Sequence, residues 1–288
     1  MIFHDSKHID LKAIFDHYDA VFFDAYGVLV DGINSLPNAE HLVNMMNTSA
    51  TNYFIVTNDA SKSTESLSNK FQSQGMKIPV ERIINSGSLI SGYYRDQGLL
   101  GRPTLVLGTT DSRAYVAGSG GRILDLDSAS EPDVILFSHS GPYDWESTLK
   151  HLLNLVSKRF KEKDPVRMVL PNTDFIYQDG PAEFGMGAAA FVQTLEAALM
   201  RLHGKHNVLR ASKLGKPHPP IFIEAIRRAG SNNAVMIGDQ LETDILGANN
   251  VGIDSAVVTT GINKRSDPEE FNDMPDNLTP RYSLTSLV

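Results

Sequence analysis

The fold class of this chain is indicated by one stretch, VFFDAYGV at residues 21–28. Apolar residues that favour strands end at Asp24, and the chain then reaches Gly27, a residue suited to a turn. In open α/β sheets, ligands bind beyond the carboxyl ends of the strands. The stretch therefore predicts a buried strand that delivers a carboxylate to a binding edge, although an isolated aspartate at this position can also cap the next turn.

Similar short apolar runs recur along the chain, each followed by a polar turn and a helical pattern. This alternation is typical of βαβ units and a parallel sheet. Helical spacing predicts amphipathic helices around residues 67–71, 149–156 and 222–229, with Gly75 and Gly230 at two of their ends. The predicted strands lie at 20–24, 53–57, 104–108, 134–137, 166–170, 234–238 and 255–259.

Polar side chains follow two other predicted strands and one proline-containing turn. Thr57 and Asn58 offer a hydroxyl and backbone N–H groups, which suit phosphoryl oxygens. Lys216 precedes a proline and can offset the charge of an anion, or can be an ordinary solvated lysine. Asp239 ends a strand and Asp244 lies about a helical turn later. Few carboxylates with carbonyls and waters suffice for Mg²⁺, although either aspartate alone can be a helix N-cap.

Composition limits the classes of protein to consider. The 288 residues favour about two domains, and 41% hydrophobic with 21% charged residues is ordinary for a globular protein. The absence of cysteine excludes disulfide scaffolds, cysteine nucleophiles and thiolate zinc sites. A net charge of -8 argues against a nucleic-acid partner. Neither a secretory signal nor an apolar run of ~20 residues is present, so we expect no membrane association and a cytoplasmic location.

Taken in chain order, these positions resemble the four motifs of the haloacid dehalogenase-like hydrolase superfamily, most of whose members are Mg²⁺-dependent phosphatases. The matching residues are Asp24, Thr57, Lys216 and the pair Asp239/Asp244. The long gap between the second and third motifs, with LPNTD at 170–174 and GMGA at 185–188, is similar to the subclass with a large α/β cap. That subclass includes 4-nitrophenyl phosphatases, nucleotide phosphatases and sugar-phosphate phosphatases.

The resemblance implies an α/β architecture of two domains. Residues 1–87 and 208–288 would form a doubly wound, Rossmann-like parallel-sheet core, and residues 88–207 an inserted α/β cap domain. A small phosphorylated metabolite would be the substrate. Relatives with large caps often associate as dimers, so the resemblance also implies a homodimer.

The resemblance further implies a role for each motif. Asp24 would attack phosphorus and form an aspartyl-phosphate, which splits hydrolysis into two easier steps. Thr57, the Asn58 backbone and Lys216 would hold the transferring phosphoryl group, while Asn172 and Asp174 would face the leaving group or simply shape a turn. The implied ligands of Mg²⁺ are Asp24, the Tyr26 backbone carbonyl and Asp239, with Asp244 in support.

Tyr26 departs from the family pattern. Phosphatases of this superfamily carry an aspartate two residues after the nucleophile, which protonates the leaving oxygen and then activates water. A phenol, with an ordinary pKa of ~10, is a poor base at neutral pH. Losing general acid–base help costs about 10²–10⁴ in rate. We therefore expect aryl phosphates, which leave without a proton, to be hydrolysed far better than sugar phosphates.

The residues leave two rival functions open. Asp24-Ala25-Tyr26-Gly27 is also similar to the haloacid dehalogenases themselves, in which the aspartate attacks carbon and displaces halide without metal. Against dehalogenation, Val28 stands where those enzymes have threonine, and both acids suited to Mg²⁺ are present. The second rival is a protein that binds a phosphorylated ligand and has lost turnover, in which Asp24 would stay unmodified.

Overall fold

The computed structural model describes residues 7–180, 183–204, 209–262, 265, 267–271, 273–284 and 287. Among these residues the strands are β1 (Lys7–His8), β2 (Ala20–Phe23), β3 (Tyr53–Thr57), β4 (Ile83–Asn85), β5 (Pro103–Leu107), β6 (Arg122–Leu124), β7 (Val134–Phe137), β8 (Arg167–Leu170), β9 (Ile176–Gln178), β10 (Phe184–Met186), β11 (Ser212–Lys213), β12 (Ala234–Gly238), β13 (Asp254–Val258) and β14 (Tyr282–Leu284). The α-helices are α1 (Leu11–His17), α2 (Ala39–Thr48), α3 (Thr64–Ser73), α4 (Ile90–Asp96), α5 (Thr110–Gly118), α6 (Trp145–Lys161), α7 (Ala188–His203), α8 (Pro219–Ala229) and α9 (Leu246–Val251).

The larger sheet is parallel throughout its described strands, in the order β1-β14-β13-β12-β2-β3-β4. Chain order runs outward from β2 through β3 to β4 on one side, and from β12 through β13 to β14 on the other. The winding direction therefore reverses between β2 and β12. Such a reversal opens a crevice at the carboxyl ends of the two strands, which is where open α/β sheets bind ligands.

Helices cover both faces of this sheet. Alternate residues of β2 enter different apolar clusters, because successive side chains of a strand point to opposite faces. Val21 and Phe23 pack in the cluster that contains Leu42 of α2, whereas Phe22 packs in the cluster that contains Phe222 of α8. Burial on both faces explains why the strand is continuously hydrophobic rather than alternating. The predicted doubly wound, Rossmann-like parallel sheet is confirmed.

A second parallel sheet, in the order β11-β8-β7-β5-β6, is formed by the chain between the two halves of the first. The antiparallel pair β9 and β10 follows β8. The last strand of this sheet, β11, lies beyond residue 208, the predicted boundary at which the chain passes from the cap back to the core. The division into domains at residues 87 and 208 stays a prediction.

All seven strands expected from the sequence are confirmed, with ends that differ by at most one residue. The three helices are confirmed as α3, α6 and α8, and Gly230 ends α8 in the left-handed conformation. Strands of two or three residues, such as β4 and β11, were not foreseen, since so few residues carry no periodic signal. No helix in the described part of the chain combines the length and apolar character that crossing a membrane requires.

Candidate active site

Neighbouring strands bring two aspartates to one edge of the larger sheet. Asp24 follows β2 and Asp239 follows β12, two strands paired with Phe23 opposite Ile237. The Asp24 backbone N–H continues this pairing by donating to the Ile237 carbonyl at 2.9 Å. Asp244 lies on the π-helical turn Leu241–Ile245 that follows. Carboxylate oxygens of the three aspartates lie within 4.8 Å of one another, and all three side chains are buried.

Lys216 links two of these carboxylates. Its Nζ lies 2.7 Å from Asp24 Oδ1 and 2.7 Å from Asp244 Oδ1, and the residue is only 1% exposed. Burial alone would lower the pKa of Lys216, but the two carboxylates raise it above its usual value, so the ammonium stays charged. The interpretation of Lys216 as a solvated lysine is therefore wrong.

Asp239 is the aspartate whose hydrogen bonding is incomplete. Its Oδ2 accepts the Ile262 N–H at 2.6 Å, whereas Oδ1 is buried and has no partner among the described residues. The backbone at Gly27 passes close to the Asp239 carboxylate, and only glycine fits there, because a Cβ would lie 2.4 Å from Asp239 Oδ2. Its φ of +82° also favours glycine. Burial, reinforced by the charge of Asp244, raises the pKa of Asp239 to about 7.

The charge of this cluster fits a divalent cation. Three buried carboxylates face one ammonium, and burial raises the pKa of Asp24 even though Lys216 acts to lower it. Among the described residues, Lys216 and the Ala25 N–H contact the Asp24 side chain, and both contacts are made to Oδ1. Oxygen donors of this kind suit Mg²⁺, and Asp239 Oδ1 is a buried donor in need of a positive partner.

Asn58 joins the carboxyl end of β3 to two other loops. Its Oδ1 accepts the Lys216 N–H at 2.7 Å, and its Nδ2 donates to Asp174 Oδ1 at 2.7 Å and to Thr173 Oγ1 at 3.0 Å. Because these bonds occupy the side chain, the Asn58 backbone is the part left to meet a ligand. Neighbouring Thr57 is 1% exposed, and its Oγ1 accepts the Asp59 N–H at 3.3 Å.

A cavity of about 300 Å³ opens at this edge of the sheet, between the strand ends and loops of the second sheet. Six of the predicted site residues line it: Asp24, Tyr26, Thr57, Asn172, Asp174 and Asp239. Asn58, Lys216 and Asp244 are buried and support that wall. The structure thus brings together the residues predicted from separate motifs.

The loop after β8 contributes both Asn172 and Asp174. Asn172 Oδ1 accepts the Asp174 N–H at 3.0 Å, so Asn172 shapes the turn and also lines the cavity. Burial raises the pKa of Asp174 to about 6, even though the hydrogen bond from Asn58 acts to lower it. A carboxyl with this pKa changes its charge just below neutral pH.

Tyr26 does not stand alone in the cavity wall. Its hydroxyl donates to Asp59 Oδ2 at 2.8 Å, and Lys70 Nζ lies 3.3 Å from the same hydroxyl and 4.7 Å from the ring centroid. Burial raises the pKa of the Tyr26 phenol, and the negative charge of Asp59 raises it further. Burial also acts to raise the pKa of Asp59, but the charge of Lys62 and hydrogen bonds from its neighbours lower it below the usual value.

Further residues that line the cavity had been given no role in the reaction. They include Asp59, Ser61, Lys62, Lys70, His139, Tyr177, Gln178 and Asp179. Asp59 follows Thr57 by two residues, so the rule that located Thr57, polar residues at the carboxyl end of a strand, could have found it. His139 follows β7, and its Nδ1 accepts the Ser140 N–H at 2.8 Å.

Comparison with known proteins defines the family. A family model described as haloacid dehalogenase-like hydrolase matches residues 21–122, and one described as HAD-hydrolase-like matches residues 213–284. A possible sugar phosphatase of the HAD superfamily from Cytophaga hutchinsonii has a crystal structure with a TM-score of 0.84, at 27% identity over 98% of this chain and 99% of its own. The chain belongs to the haloacid dehalogenase-like hydrolase family.

Curated relatives are named as phosphatases. The dihydroxyacetone phosphatase of Corynebacterium glutamicum is 24% identical over 92% of this chain and 88% of its own length. The ribonucleotide monophosphatase NagD of Escherichia coli is 23% identical over 93% and 98%, respectively. A glycerol phosphate phosphatase of Mycobacterium tuberculosis in complex with magnesium shares the fold, with a TM-score of 0.77 at 23% identity over 95% of this chain and 76% of its own.

Proposed function

We propose that this chain is a magnesium-dependent phosphatase that hydrolyses a small phosphomonoester through an aspartyl-phosphate on Asp24. The observation that carries the proposal is the buried cluster of Asp24, Asp239 and Asp244 around Lys216, at the carboxyl edge where the sheet reverses its winding. The phosphatase names of the relatives support this chemistry over dehalogenation.

The residues that would hold Mg²⁺ are Asp24, Asp239 and the Tyr26 backbone carbonyl, with Asp244 in support. Asp239 would bind through Oδ1, which has no partner in the part of the chain that the structure describes. A bound Mg²⁺ would offset negative charge on the phosphoryl oxygens. Asp244 Oδ1 contacts Lys216 and its Oδ2 accepts the Gln240 N–H at 3.1 Å. These bonds make Asp244 the member of the cluster best suited to orient its neighbours.

In the first step a carboxylate oxygen of Asp24 attacks phosphorus, and the bond from phosphorus to the leaving oxygen breaks with its electron pair. Thr57 and the Asn58 N–H lie at the end of the adjacent strand β3, where they can hold phosphoryl oxygens. Lys216 offsets the charge and keeps Asp24 in place. Phosphoryl transfer depends mainly on such positioning and electrostatics. Water then hydrolyses the aspartyl-phosphate.

The size and the polar lining of the cavity favour a small polar substrate. Its volume of about 300 Å³ is at the lower end of ligand pockets. Asn172 and Asp174 stand on the wall formed by the loop after β8, where a leaving group would lie. Tyr177, Gln178 and Asp179 extend the polar lining.

The test is phosphate release from p-nitrophenyl phosphate with Mg²⁺ and with a chelator. We expect release that depends on Mg²⁺ and is abolished in Asp24→Asn but unchanged in Asp96→Asn, whose carboxylate is on the surface. Halide release from a 2-haloacid without metal would instead establish dehalogenation. Binding of a phosphomonoester with neither product would establish the ligand-binding rival.

The leaving group provides a further check on Tyr26. Because its proton is already donated to Asp59, p-nitrophenyl phosphate should be hydrolysed about 10²–10⁴ times faster than a hexose phosphate. The measurement is kcat/KM for a series of phosphomonoesters of rising leaving-group pKa. Equal values along the series would show that another group protonates the leaving oxygen.

A further inference from the structure

The Tyr26 hydroxyl is one hydrogen bond away from a carboxylate that the sequence motifs do not include. Tyr26 follows Asp24 by two residues and lines the same cavity. Its hydroxyl donates to Asp59 Oδ2 at 2.8 Å, and Asp59 is only 8% exposed. A carboxylate is therefore present near the reacting aspartate, delivered from the end of β3 rather than from the loop after β2.

Asp59 is held by four donors. Its Oδ1 accepts the Ser61 N–H at 2.9 Å and the Ser61 hydroxyl at 2.5 Å, while its Oδ2 accepts from Tyr26 and from Lys62 Nζ at 3.0 Å. An ionised carboxylate has about four acceptor positions, so these bonds saturate it. A water in the cavity can therefore pass a proton to Asp59 only through one of its donors.

Tyr26 is the donor best placed for that relay. A phenolic oxygen has one proton and two lone pairs. The proton is donated to Asp59, and Lys70 Nζ, also bonded to the Gly32 carbonyl at 2.9 Å, approaches one lone pair at 3.3 Å. The hydrogen bonds of the described residues leave the second lone pair of Tyr26 available to a water in the cavity.

We infer that Asp59, acting through the Tyr26 hydroxyl, accepts the proton of the water that hydrolyses the aspartyl-phosphate. The inference rests on the proposed function. The water oxygen bonds to phosphorus, and the bond from phosphorus to Asp24 breaks with its electron pair returned to the carboxylate. One water proton passes to the Tyr26 oxygen while the Tyr26 proton passes to Asp59. The other stays on the inorganic phosphate, and Asp59 later releases its proton to solvent.

The relay serves only one half of the reaction. In the resting site the Tyr26 proton points to Asp59, which is a charged acceptor and has no proton to return. The leaving oxygen of the first step therefore receives no proton from Tyr26 or Asp59, whereas the attacking water of the second step passes one to them. This asymmetry deepens the proposed function, because it selects phosphomonoesters whose leaving groups depart unprotonated, such as aryl or enol phosphates.

The test resolves the two steps with p-nitrophenyl phosphate by rapid acid quench. In Asp59→Asn and in Tyr26→Phe, we expect the first release of nitrophenol to keep its rate, turnover to fall by about 10²-fold or more, and phosphorylated Asp24 to accumulate. The double variant should be no slower than either single variant, since both remove one relay. Asp59→Glu should restore part of the turnover. Tyr93→Phe, which loses a bond to Ser212 away from the cavity, is the matched control.

Several outcomes would overturn the relay. Unchanged turnover would do so, as would an equal slowing of both steps without accumulation of phosphorylated Asp24. Tyr26→Asp gives a second test, and its first readout needs no Asp59 variant: turnover of an alkyl phosphate should rise. Adding Asp59→Asn should then cost nothing. A further loss in that background would contradict the relay. Failure of the proposed function is distinct, since the unaltered chain would then release no phosphate with Mg²⁺.

Discussion

At the scale of single residues, the site depends on one buried ammonium. Lys216 contacts Asp24 and Asp244 at 2.7 Å each, and its backbone N–H and carbonyl both bind the Asn58 side chain. Lys216 thus both offsets the charge of the two carboxylates and, through its backbone, holds its own loop against Asn58. Removing one partner of a buried ion pair leaves an unpaired charge, which is more costly than the pair itself is stabilising.

We therefore expect Lys216→Met to lower the free energy of unfolding by about 3–5 kcal/mol and to abolish activity. Chemical denaturation without divalent cations measures the first effect. Lys213→Met, three residues earlier on the partly exposed strand β11, is the control and should change stability little. A Lys216→Met protein as stable as the unaltered chain would show that the carboxylates are neutral in the folded state.

Asp174 supplies a pH-dependent test at the same scale. Its pKa is raised from 3.8 to about 6 on folding, so the folded protein holds this proton more tightly than the unfolded chain. The stabilisation is fully present below the unfolded value and is lost as pH rises through about 6. Asp174→Asn should therefore be more stable than the unaltered chain above that pH, with a flatter pH dependence. Thermal unfolding across this range, with Asp96→Asn for comparison, measures the difference.

At the scale of elements, strand ends position the chemistry while helix ends set where the chain turns. Pro219 and Pro220 begin α8, where proline is tolerated because the first N–H groups of a helix have no internal partner. Gly230 ends the helix at φ +72°, and its N–H bonds the Ile226 carbonyl. The chain then enters β12, which delivers Asp239.

Gly230→Ala should destabilise the protein by about 1–2 kcal/mol, because a side chain is unfavourable in the left-handed conformation. A Cβ at Gly230 meets nothing within 4 Å, so steric clash with neighbouring atoms does not add to this cost. Gly118→Ala is the matched control: it also has open space, but ends α5 without a positive φ. That change should be neutral or stabilising, by up to about 1 kcal/mol. The midpoint of chemical denaturation should therefore fall in Gly230→Ala and stay the same or rise in Gly118→Ala.

At the scale of the whole molecule, the cavity lies where loops at the strand ends of the first sheet contact loops of the second sheet. Asn58 from the first sheet binds Asp174 from the loop after β8, and Thr109, before α5, donates to the Ser61 carbonyl at 2.5 Å. The aspartate cluster lies at the same junction, so a ligand bound there stabilises the arrangement of both sheets. Anything that binds only the folded state raises its stability by mass action.

Mg²⁺ should therefore raise the thermal unfolding midpoint, by an amount that corresponds to about 2.7 kcal/mol at a hundredfold excess over Kd. A chelator should reverse the rise. Asp239→Asn should abolish most of it, because that change removes the charge from an oxygen that no other described residue contacts. Asp96→Asn should keep the full response. An equal response in both variants would place the cation elsewhere.

Local patterns were enough to predict much of this protein. Each long strand is a buried apolar run, and its burial depends on residues adjacent in the chain, so all seven were predictable. Asp24 and Asp239 were predictable for the same reason, since each directly follows such a run. The order of the motifs was enough to indicate the family.

Other features depended on the order and register of the strands. The bond between Tyr26 and Asp59 joins residues 33 apart, and the bond between Asn58 and Lys216 joins residues 158 apart. No local pattern predicts such pairs, because they form only when β2 and β3 lie side by side and the loop after β11 folds back over their ends. The sequence by itself thus determined the seven longer strands, three of the helices and the acids at the strand ends. Tertiary structure alone decided which charges are paired and which carboxylate accepts the hydrogen bond from Tyr26, because such bonds depend on distances in space.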